Sequence, residues 1–406
     1  MKIAAVDAFT LRTPAPDGQP YWGLRAWGPA DASAAQYPPR WRMRASYTAA
    51  ITTVVVRITT DTGLVGYGEA KAPVAPEATR VVVRDLLAPL IMGADPLDVD
   101  VLWERMYGSM RLRAHTSGFL LEAISGVDLA LWDLRGKALG VPVCKLLGGT
   151  YRDRVTVYAS GLPGLVDPRD TAARTRLENE ARALVARGFR ALKLPGGFGV
   201  DADVESVRTV RAAVGEGIEI FCDAGGNYDV AHAHRLGRAL EALGVGWLEA
   251  PLPPEHVDGY AQLARALALP IANDLVSTRY QVCAFLVRSA LDVVQPDVCR
   301  AGGLSECRRI ALLADVFGAG IAPHVSIGSP IQFAASAHLA AATPNFLVLE
   351  FWTGAAAFAR LAPGGPLQII DGVLPVPMGP GLGLTIDDAA LQHYAASDAI
   401  CNPQDV

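Results

Sequence analysis

The sequence predicts an α/β protein whose largest unit is a closed (β/α)8 barrel. Short apolar runs alternate with helix-like segments such as 203–216 and 304–318, in which apolar residues recur every three or four positions. Each run is bulky and apolar throughout, as expected of a strand covered on both faces. Between Lys193 and Glu350 the runs recur every 23 to 30 residues, the length of one strand, one helix and two loops. This alternation predicts parallel strands with right-handed crossovers, and eight runs in about 200 residues fit a closed barrel.

Seven of the eight predicted strands end in a polar or ionisable residue. These residues are Lys193, Asp223, Glu249, Asp274, Asp297, His324 and Glu350. The remaining strand, 155–160, precedes them in the chain. Catalytic groups in barrels of this kind lie at the C-terminal ends of the strands. We therefore expect the seven side chains to surround one pocket.

Residues 1–140 lack the regular alternation of strands and helices, and their pattern predicts a separate α+β domain. A strand at 1–12 is followed by a hairpin that turns at 61–63, and then by three helix-like stretches. The stretches are 76–92, 97–111 and 118–139. The barrel is expected over 141–363. The last segment, 364–406, has short strand-like pieces between Pro and Gly turns and is expected to return to the N-terminal domain.

A long loop at about 14–45 interrupts the N-terminal domain. It is rich in Gly, Pro and Ala and carries Tyr21, Trp22 and Arg25. A loop of this length inside a compact domain is usually functional or without fixed structure. We expect a lid whose aromatic and basic side chains bind the substrate. The alternative is a loop docked on the domain or at a subunit contact.

Composition excludes several classes of partner. The formal net charge of −5 gives no general reason to bind nucleic acid or an anionic membrane. The six cysteines form no CxxC pair, which predicts reduced thiols in a cytoplasmic protein. The N-terminus does not have the pattern of a signal peptide, and no apolar run approaches the length of a membrane span. A small anionic substrate would need a local positive group such as a metal ion or a lysine.

Three acidic residues, Asp223, Glu249 and Asp274, end consecutive strands. Adjacent strands lie about 5 Å apart, so the three carboxylates converge within reach of one ion. Ligation by oxygen alone, with water and substrate completing the shell, suits Mg²⁺. A single acidic residue at a strand end is more often a helix cap or an ion-pair partner. Three on consecutive strands favour a metal site.

The next two strands end in Asp297 and His324. A carboxylate beside an imidazole can hold one tautomer and raise its basicity, which makes His324 the leading proton-transfer residue. Lys193 enters the same pocket from another strand, and a protonated Glu350 is expected to donate a hydrogen bond to developing negative charge. Together with a divalent ion, these groups suit removal of a proton next to a carboxylate.

Several motifs resemble those of the enolase superfamily, specifically its mandelate racemase subgroup. They include the segment 123–149, the strand 189–194, the Asp223 and Glu249 pair, the segment 292–306 that contains Asp297, and the segment 324–352 that starts at His324. The resemblance covers essentially the full length. It implies a modified (β/α)7β barrel and an α+β capping domain, completed by the C-terminal tail, whose loop closes over the substrate. It also implies a homo-oligomer.

The sequence departs from the family pattern at the second barrel strand. Family members usually have Lys-x-Lys there, with the second lysine acting as one of two bases. Here Lys193 matches the first lysine, which in the family contacts the substrate carboxylate, and Pro195 replaces the second. Proline cannot take a proton, so a two-base racemase is not expected.

Two further departures concern the metal site and its surroundings. The family glutamate of the fifth strand is expected at Leu275, so Asp274 is one residue early, and Asn273 is a poorer neutral alternative. A shift of one residue normally reverses the direction of a side chain, which leaves the third ligand open. Gly225 stands where relatives often have Asn, and Asn227 is a candidate to bind substrate in its place.

These observations predict a Mg²⁺-dependent dehydratase of sugar acids, that is, of aldonates or aldarates. His324 takes the C2 proton, Lys193 and Glu350 stabilise the enediolate, and hydroxide leaves C3 to give a 2-keto-3-deoxy acid. One alternative is a racemase or epimerase of a 2-hydroxy acid. Another is a metal-deficient barrel that binds an acid without efficient turnover. The identity of the sugar acid stays open.

Overall fold

The structure, a computed structural model, describes residues 1–14, 50–365 and 368–395. The predicted lid beyond Pro14, with Tyr21, Trp22 and Arg25, lies outside these ranges. The chain begins with an antiparallel sheet in the order β1-β2-β3. Its strands are β1 (Ile3–Pro14), β2 (Ala50–Thr60) and β3 (Val65–Ala70).

Helices follow the N-terminal sheet close to the three predicted stretches. They are α1 (Pro76–Val81), a π-helical segment (Val82–Leu87), α2 (Ala88–Ile91), α3 (Val99–Gly108), a 3-10 turn (Arg111–Arg113), α4 (Phe119–Leu139) and α5 (Val143–Leu146). Helix α4 lies directly on β3 because two glycines of that strand leave room for it. A Cβ at Gly66 would lie 2.3 Å from Ala130 O, and one at Gly68 would lie 2.0 Å from Gly126 O.

The barrel has eight parallel strands with a helix between each successive pair. The strands are β4 (Arg154–Ser160), β5 (Ala191–Pro195), β6 (Glu219–Asp223), β7 (Leu248–Glu249), β8 (Ile271–Asn273), β9 (Val293–Val294), β10 (Gly320–Ile321) and β11 (Leu349–Trp352). The helices are α6 (Thr171–Ala186), α7 (Val200–Val214), α8 (Val230–Glu241), α9 (Val257–Ala266), α10 (Arg279–Leu286), α11 (Gly303–Val316) and α12 (Pro330–Ala342). A 3-10 segment, Thr353–Leu361, follows β11. Eight strands and seven helices confirm the modified (β/α)7β barrel.

Backbone hydrogen bonds close the barrel. The paired strands run in the order β10-β9-β8-β7-β6-β5-β4-β11. At the two ends of this row, Ile321 N–H donates to Asn345 O (2.9 Å) and Leu347 N–H donates to Ile321 O (2.8 Å). Glu350 N–H donates to Pro323 O (3.2 Å). The last two strands are therefore joined, and all eight C-terminal ends surround one opening.

The barrel interior is filled by a lower layer of mostly apolar side chains. These are Tyr158, Ala191, Phe221, Trp247, Ala272, Val293, Ala322 and Val348. The rings of Phe221 and Trp247 stack with their centroids 3.4 Å apart. Side chains alternate along a strand, so the residue two positions further on also faces inward. This alternation produces an upper layer that consists of Ser160, Lys193, Asp223, Glu249, Asp274, Gln295, His324 and Glu350.

Helix α4 anchors the N-terminal domain to the barrel through buried polar groups. Ser125 Oγ accepts hydrogen bonds from the backbone N–H groups of Gly302 and Gly303. The Asp128 carboxylate accepts from Ser305 N (3.0 Å) and from the Ser305 hydroxyl. Burial raises the pKa of Asp128 to about 7, and its bonds to Ser305 only partly offset this. These contacts bind α4 to the beginning of α11.

The C-terminal segment contacts the barrel and then the N-terminal domain. Strand β12 (Val373–Pro375) pairs antiparallel with β4. Further on, Leu382 N–H donates to Asp133 Oδ1 (2.9 Å), and Tyr67 OH donates to Asp388 Oδ1 (2.9 Å) at the beginning of α13 (Asp388–Ala395). These contacts support the proposed return of this segment to the N-terminal domain. Across the described ranges, no helix combines the length and apolarity that a membrane crossing needs.

Candidate active site

The upper layer of the barrel brings the predicted strand-end residues to one opening. Six of the seven predicted residues belong to that layer, and Asp297 stands two residues beyond Gln295 on the same side. Lys193, Asp223, Glu249, His324 and Glu350 are buried. Because these side chains point toward one axis from different strands, their charges interact strongly.

Lys193 lies among three of the carboxylates. Its Nζ is 2.7 Å from Glu249 Oε1, 2.9 Å from Glu350 Oε1 and 3.5 Å from Asp223 Oδ2. Burial by itself would lower the pKa of Lys193, but Glu249 and Glu350 outweigh it and raise that pKa well above its ordinary value. The side chain is therefore an ammonium ion at neutral pH.

Glu249 is held on its other side by two donors from the barrel. Its Oε2 accepts from Trp247 Nε1 (3.2 Å) and from Gln295 Nε2 (2.7 Å). We did not expect Gln295 from the sequence, although it lies two residues before Asp297 on the same side of the strand. Together with Lys193, these donors fix the orientation of the Glu249 carboxylate.

Asp274, rather than Asn273, faces the pocket. Its Oδ2 lies 3.6 Å from His324 Nε2 and 3.5 Å from a guanidinium nitrogen of Arg300. The Asn273 side chain instead accepts a hydrogen bond from Leu275 N (2.8 Å). The alternation from inward-facing Ala272 explains this arrangement, since a side chain two residues later faces the same way.

The carboxylates carry more negative charge than nearby cations balance. Burial raises the pKa of both Asp223 and Glu249, and the charges of Asp274 and Glu350 raise them further, more than Lys193 offsets. Oxygen ligands with excess negative charge suit a hard divalent cation. Asp223, Glu249 and Asp274 fit such an ion in donor type and charge.

The same residues do not form a compact ligand set in the structure. Within the described ranges, no three or more His, Cys, Asp or Glu side chains are arranged to hold a metal ion. The reason lies in their partners. Lys193 contacts Asp223 and Glu249, while Asp274 faces Arg300 and His324. The predicted metal site therefore stays a prediction.

His324 and Asp297 form a hydrogen-bonded pair. His324 Nδ1 lies 2.8 Å from Asp297 Oδ2, and Asp297 Oδ1 accepts from Cys299 N (2.8 Å) and Gln332 Nε2 (3.0 Å). Burial would raise the pKa of Asp297, but Lys71 and His324 outweigh it and lower that pKa well below its ordinary value. The ionised carboxylate assigns the proton to His324 Nδ1, which leaves Nε2 as the basic nitrogen facing the pocket.

The sequence led us to expect a protonated Glu350 that donates a hydrogen bond, and the structure favours the ionised form instead. Burial would raise its pKa, but Lys193 and His324 outweigh that effect and lower the pKa to about 2. Its Oε2 also accepts from Val325 N (3.1 Å). A carboxylate that is ionised at neutral pH accepts hydrogen bonds and cannot donate one. Glu350 therefore holds the Lys193 ammonium in place.

The two remaining departures from the family pattern, at Pro195 and Gly225, lie on the side of the pocket formed by β5 and β6. Pro195 is buried and stands level with Asp223 in the paired strands, so this side carries no base at that position. The Asn227 Nδ2 donates to Ala224 O (2.8 Å) and Gly225 O (3.1 Å). Since its amide hydrogens serve the loop, only its oxygen is left for the predicted contact with substrate.

Comparison with known families shows to which family the chain belongs. Residues 176–390 match the family described as enolase C-terminal domain-like. Residues 32–148 match the N-terminal domain of mandelate racemase and muconate lactonizing enzyme. The chain belongs to the enolase superfamily. The two matches confirm the resemblance to its mandelate racemase subgroup.

Relatives within this superfamily carry out more than one reaction. The chain is 35% identical over 357 residues to D-galactarolactone cycloisomerase of Agrobacterium fabrum, covering 85% of this chain and 92% of the relative. It is 35% identical over 343 residues to arabinonate dehydratase of Saccharolobus solfataricus, covering 84% and 90%. The crystal structure of 3,6-anhydro-D-galactonate cycloisomerase from Zobellia galactanivorans has a TM-score of 0.80 and 28% identity, covering 97% and 99%.

Proposed function

We propose that this enolase-superfamily protein is a lyase, a Mg²⁺-dependent dehydratase of sugar acids. Relatives named for dehydration of arabinonate, D-xylonate, D-galactonate and D-gluconate are 32% to 35% identical to it. The proposal rests on the observation that a base lies on only one side of the pocket. His324 has a carboxylate partner at 2.8 Å, while Pro195 stands where a second base would be needed. Elimination needs a base on only one side.

The reaction follows from the positions of these side chains. Mg²⁺ held by Asp223, Glu249 and Asp274 would neutralise the substrate carboxylate and so favour loss of the neighbouring proton. His324 Nε2 takes the C2 proton, and Asp297 stabilises the resulting imidazolium through Nδ1. Lys193 donates to the enediolate oxygens as negative charge develops.

The second half of the reaction returns the same proton. The C3–O bond breaks, and the leaving hydroxide takes the proton from His324 Nε2 and departs as water. The resulting enol tautomerises to a 2-keto-3-deoxy acid. His324 ends neutral, so atoms and charge balance without a second catalytic base.

A second candidate is ring-opening isomerisation. The similarity to D-galactarolactone cycloisomerase over 85% of the chain favours it. The same C2 proton abstraction would expel a ring oxygen instead of hydroxide, and no water would be released. The site described above serves either reaction, because both begin with a proton next to a carboxylate.

Proton NMR in D₂O tests both candidates. The purified protein with Mg²⁺ is incubated with a panel of aldonates, aldarates and aldarolactones. A 2-keto-3-deoxy product that forms from a ring-free acid with loss of water, and that disappears in His324→Asn, supports dehydration. A 2-keto-3-deoxy product that forms only from a lactone, without loss of water, supports ring-opening isomerisation. The matched control is His232→Asn, since His232 is exposed and pairs only with Asp229 on its own helix among described residues. No conversion of any substrate would contradict the proposal.

A further inference from the structure

A lysine from the N-terminal domain lies beside the carboxylate that orients His324. Lys71 follows β3, and only 2% of its surface is exposed. Its Nζ lies 2.9 Å from Asp297 Oδ2 and also donates to the Ser326 hydroxyl. Its backbone N–H donates to Cys299 O (3.1 Å). Both ends of this residue are thus bonded to barrel loops.

Asp297 receives a donor at each of its acceptor positions. Oδ2 accepts from Lys71 Nζ and His324 Nδ1, and Oδ1 accepts from Cys299 N and Gln332 Nε2. An ionised carboxylate offers about four lone-pair positions, so this arrangement leaves none to spare. Loss of the Lys71 bond would leave a buried negative charge without its nearest cation, and such a charge is costly unless it finds another partner.

A residue near the end of β3 reinforces the connection. Glu69, buried and two positions before Lys71, accepts from Ser329 N, Ser329 Oγ and Gln332 N at the start of α12. Helix α12 follows the loop that carries His324 and supplies the Gln332 amide that binds Asp297. The end of β3 therefore holds both loops that carry the His324–Asp297 pair. Glu69 holds the loop after His324, and Lys71 holds the loop of Asp297.

We propose that Lys71 is a positioning residue through which the N-terminal domain holds Asp297 and His324 in their working geometry. The proposal deepens the proposed function and rests on it for its kinetic test. Lys71 is buried, and its ammonium group bonds to Asp297 and Ser326. Its loss should therefore reduce turnover and leave substrate affinity nearly unchanged.

The kinetic test compares Lys71→Met with the unchanged protein. We expect kcat to fall about 100-fold, with KM within about threefold, because small displacements of a base cost that much. Lys71→Arg keeps a positive charge and should recover part of kcat. If Lys71→Met retained kcat within about twofold, the positioning role would be excluded.

The matched control is Lys137→Met, a lysine substitution in the same domain. Lys137 Nζ bonds to Asp133 Oδ2 (2.7 Å) and Val65 O (3.0 Å), both within the N-terminal domain. This variant should lower the midpoint of thermal unfolding without changing kcat. An equal loss of kcat in both variants would mean that Lys71 contributes only stability.

A structural readout separates this proposal from the proposed function. In crystals of Lys71→Met we expect the His324 Nδ1 to Asp297 Oδ2 hydrogen bond to be broken or the carboxylate turned, and in Lys137→Met we expect both to be kept. If the His324–Asp297 hydrogen bond is unchanged in Lys71→Met, the proposal is overturned, even if the protein turns over no sugar acid. Should Lys71→Met not fold, Ser326→Ala removes the other partner of the ammonium and should lower kcat about tenfold at constant KM. An unchanged kcat there overturns the proposal as well.

Discussion

Lys193 Nζ and Glu249 Oε1 lie 2.7 Å apart at the mouth of the barrel. The same ammonium contacts Asp223 and Glu350, so it is the cation nearest to these carboxylates. Two of the three proposed metal ligands are thus partners of a lysine. A divalent cation held by Asp223 and Glu249 would compete with that lysine for their oxygens.

Lys193→Met should bind Mg²⁺ more tightly than the unchanged protein, although its turnover should be lost. Removing a positive charge within about 4 Å of the ligand oxygens should make Mg²⁺ binding more favourable by more than 1 kcal/mol, or about tenfold in affinity. Calorimetric titration without substrate measures this directly. Lys137→Met, which alters a distant ion pair, should titrate like the unchanged protein. Equal or weaker Mg²⁺ affinity in Lys193→Met would disprove the competition.

Asp274→Asn should weaken Mg²⁺ binding about tenfold, because the variant loses one charged oxygen that faces the pocket. The comparison variant is Asn273→Ser, since Asn273 is the neighbouring amide that bonds to Leu275 N instead. The same titration applies to both. If the Asn273 variant lost affinity and the Asp274 variant did not, the third ligand would be assigned to the wrong residue.

Pro195→Lys should add inversion at C2 to the reaction. Pro195 follows Lys193 by two residues and stands level with Asp223, so a lysine there would face the same pocket. In D₂O, the substrate recovered from the unchanged protein should keep its C2 configuration, while Pro195→Lys should produce the C2 epimer. Pro195→Met controls for loss of the ring. Inversion by the unchanged protein would restore the two-base alternative.

His338 should make stability depend on pH. It is fully buried, and its Nδ1 accepts a hydrogen bond from Cys144 N (3.2 Å). Burial lowers its pKa from 6.5 to about 4, so the unfolded chain binds the proton more readily than the folded one. Stability is therefore kept above pH 6.5 and lost as the pH falls toward 4, by about 3 kcal/mol in total.

Chemical unfolding at pH 7 and pH 4.5 measures this contribution. Other carboxyl groups titrate in the same range, so the informative quantity is the difference between the unchanged protein and His338→Asn. That difference should shrink as the pH falls. His115→Asn, at an exposed position, should show no such trend. A constant difference for His338→Asn would contradict the predicted burial effect.

Much of the fold was predictable because its signals are local. The eight barrel strands, the hairpin turn with Gly63 at φ 82° and the three N-terminal helical stretches all lie where periodicity and turn residues place them. Several barrel strands pair over only two or three residues, as in Leu248–Glu249, so their exact bounds depend on neighbouring strands. Helix α13 was not predicted, since its eight residues carry too little periodic pattern.

The sequence by itself determined the order of strands and helices, the family, and the residues that end each barrel strand. Those features depend on alternation and spacing along the chain, which are visible without knowledge of contacts. Only the tertiary structure decided that Lys71 bonds to Asp297 across 226 positions, that Gln295 binds Glu249, and that Lys193 and His324 lower the pKa of Glu350. These properties arise from burial and from charges brought together by folding, and no local pattern encodes them.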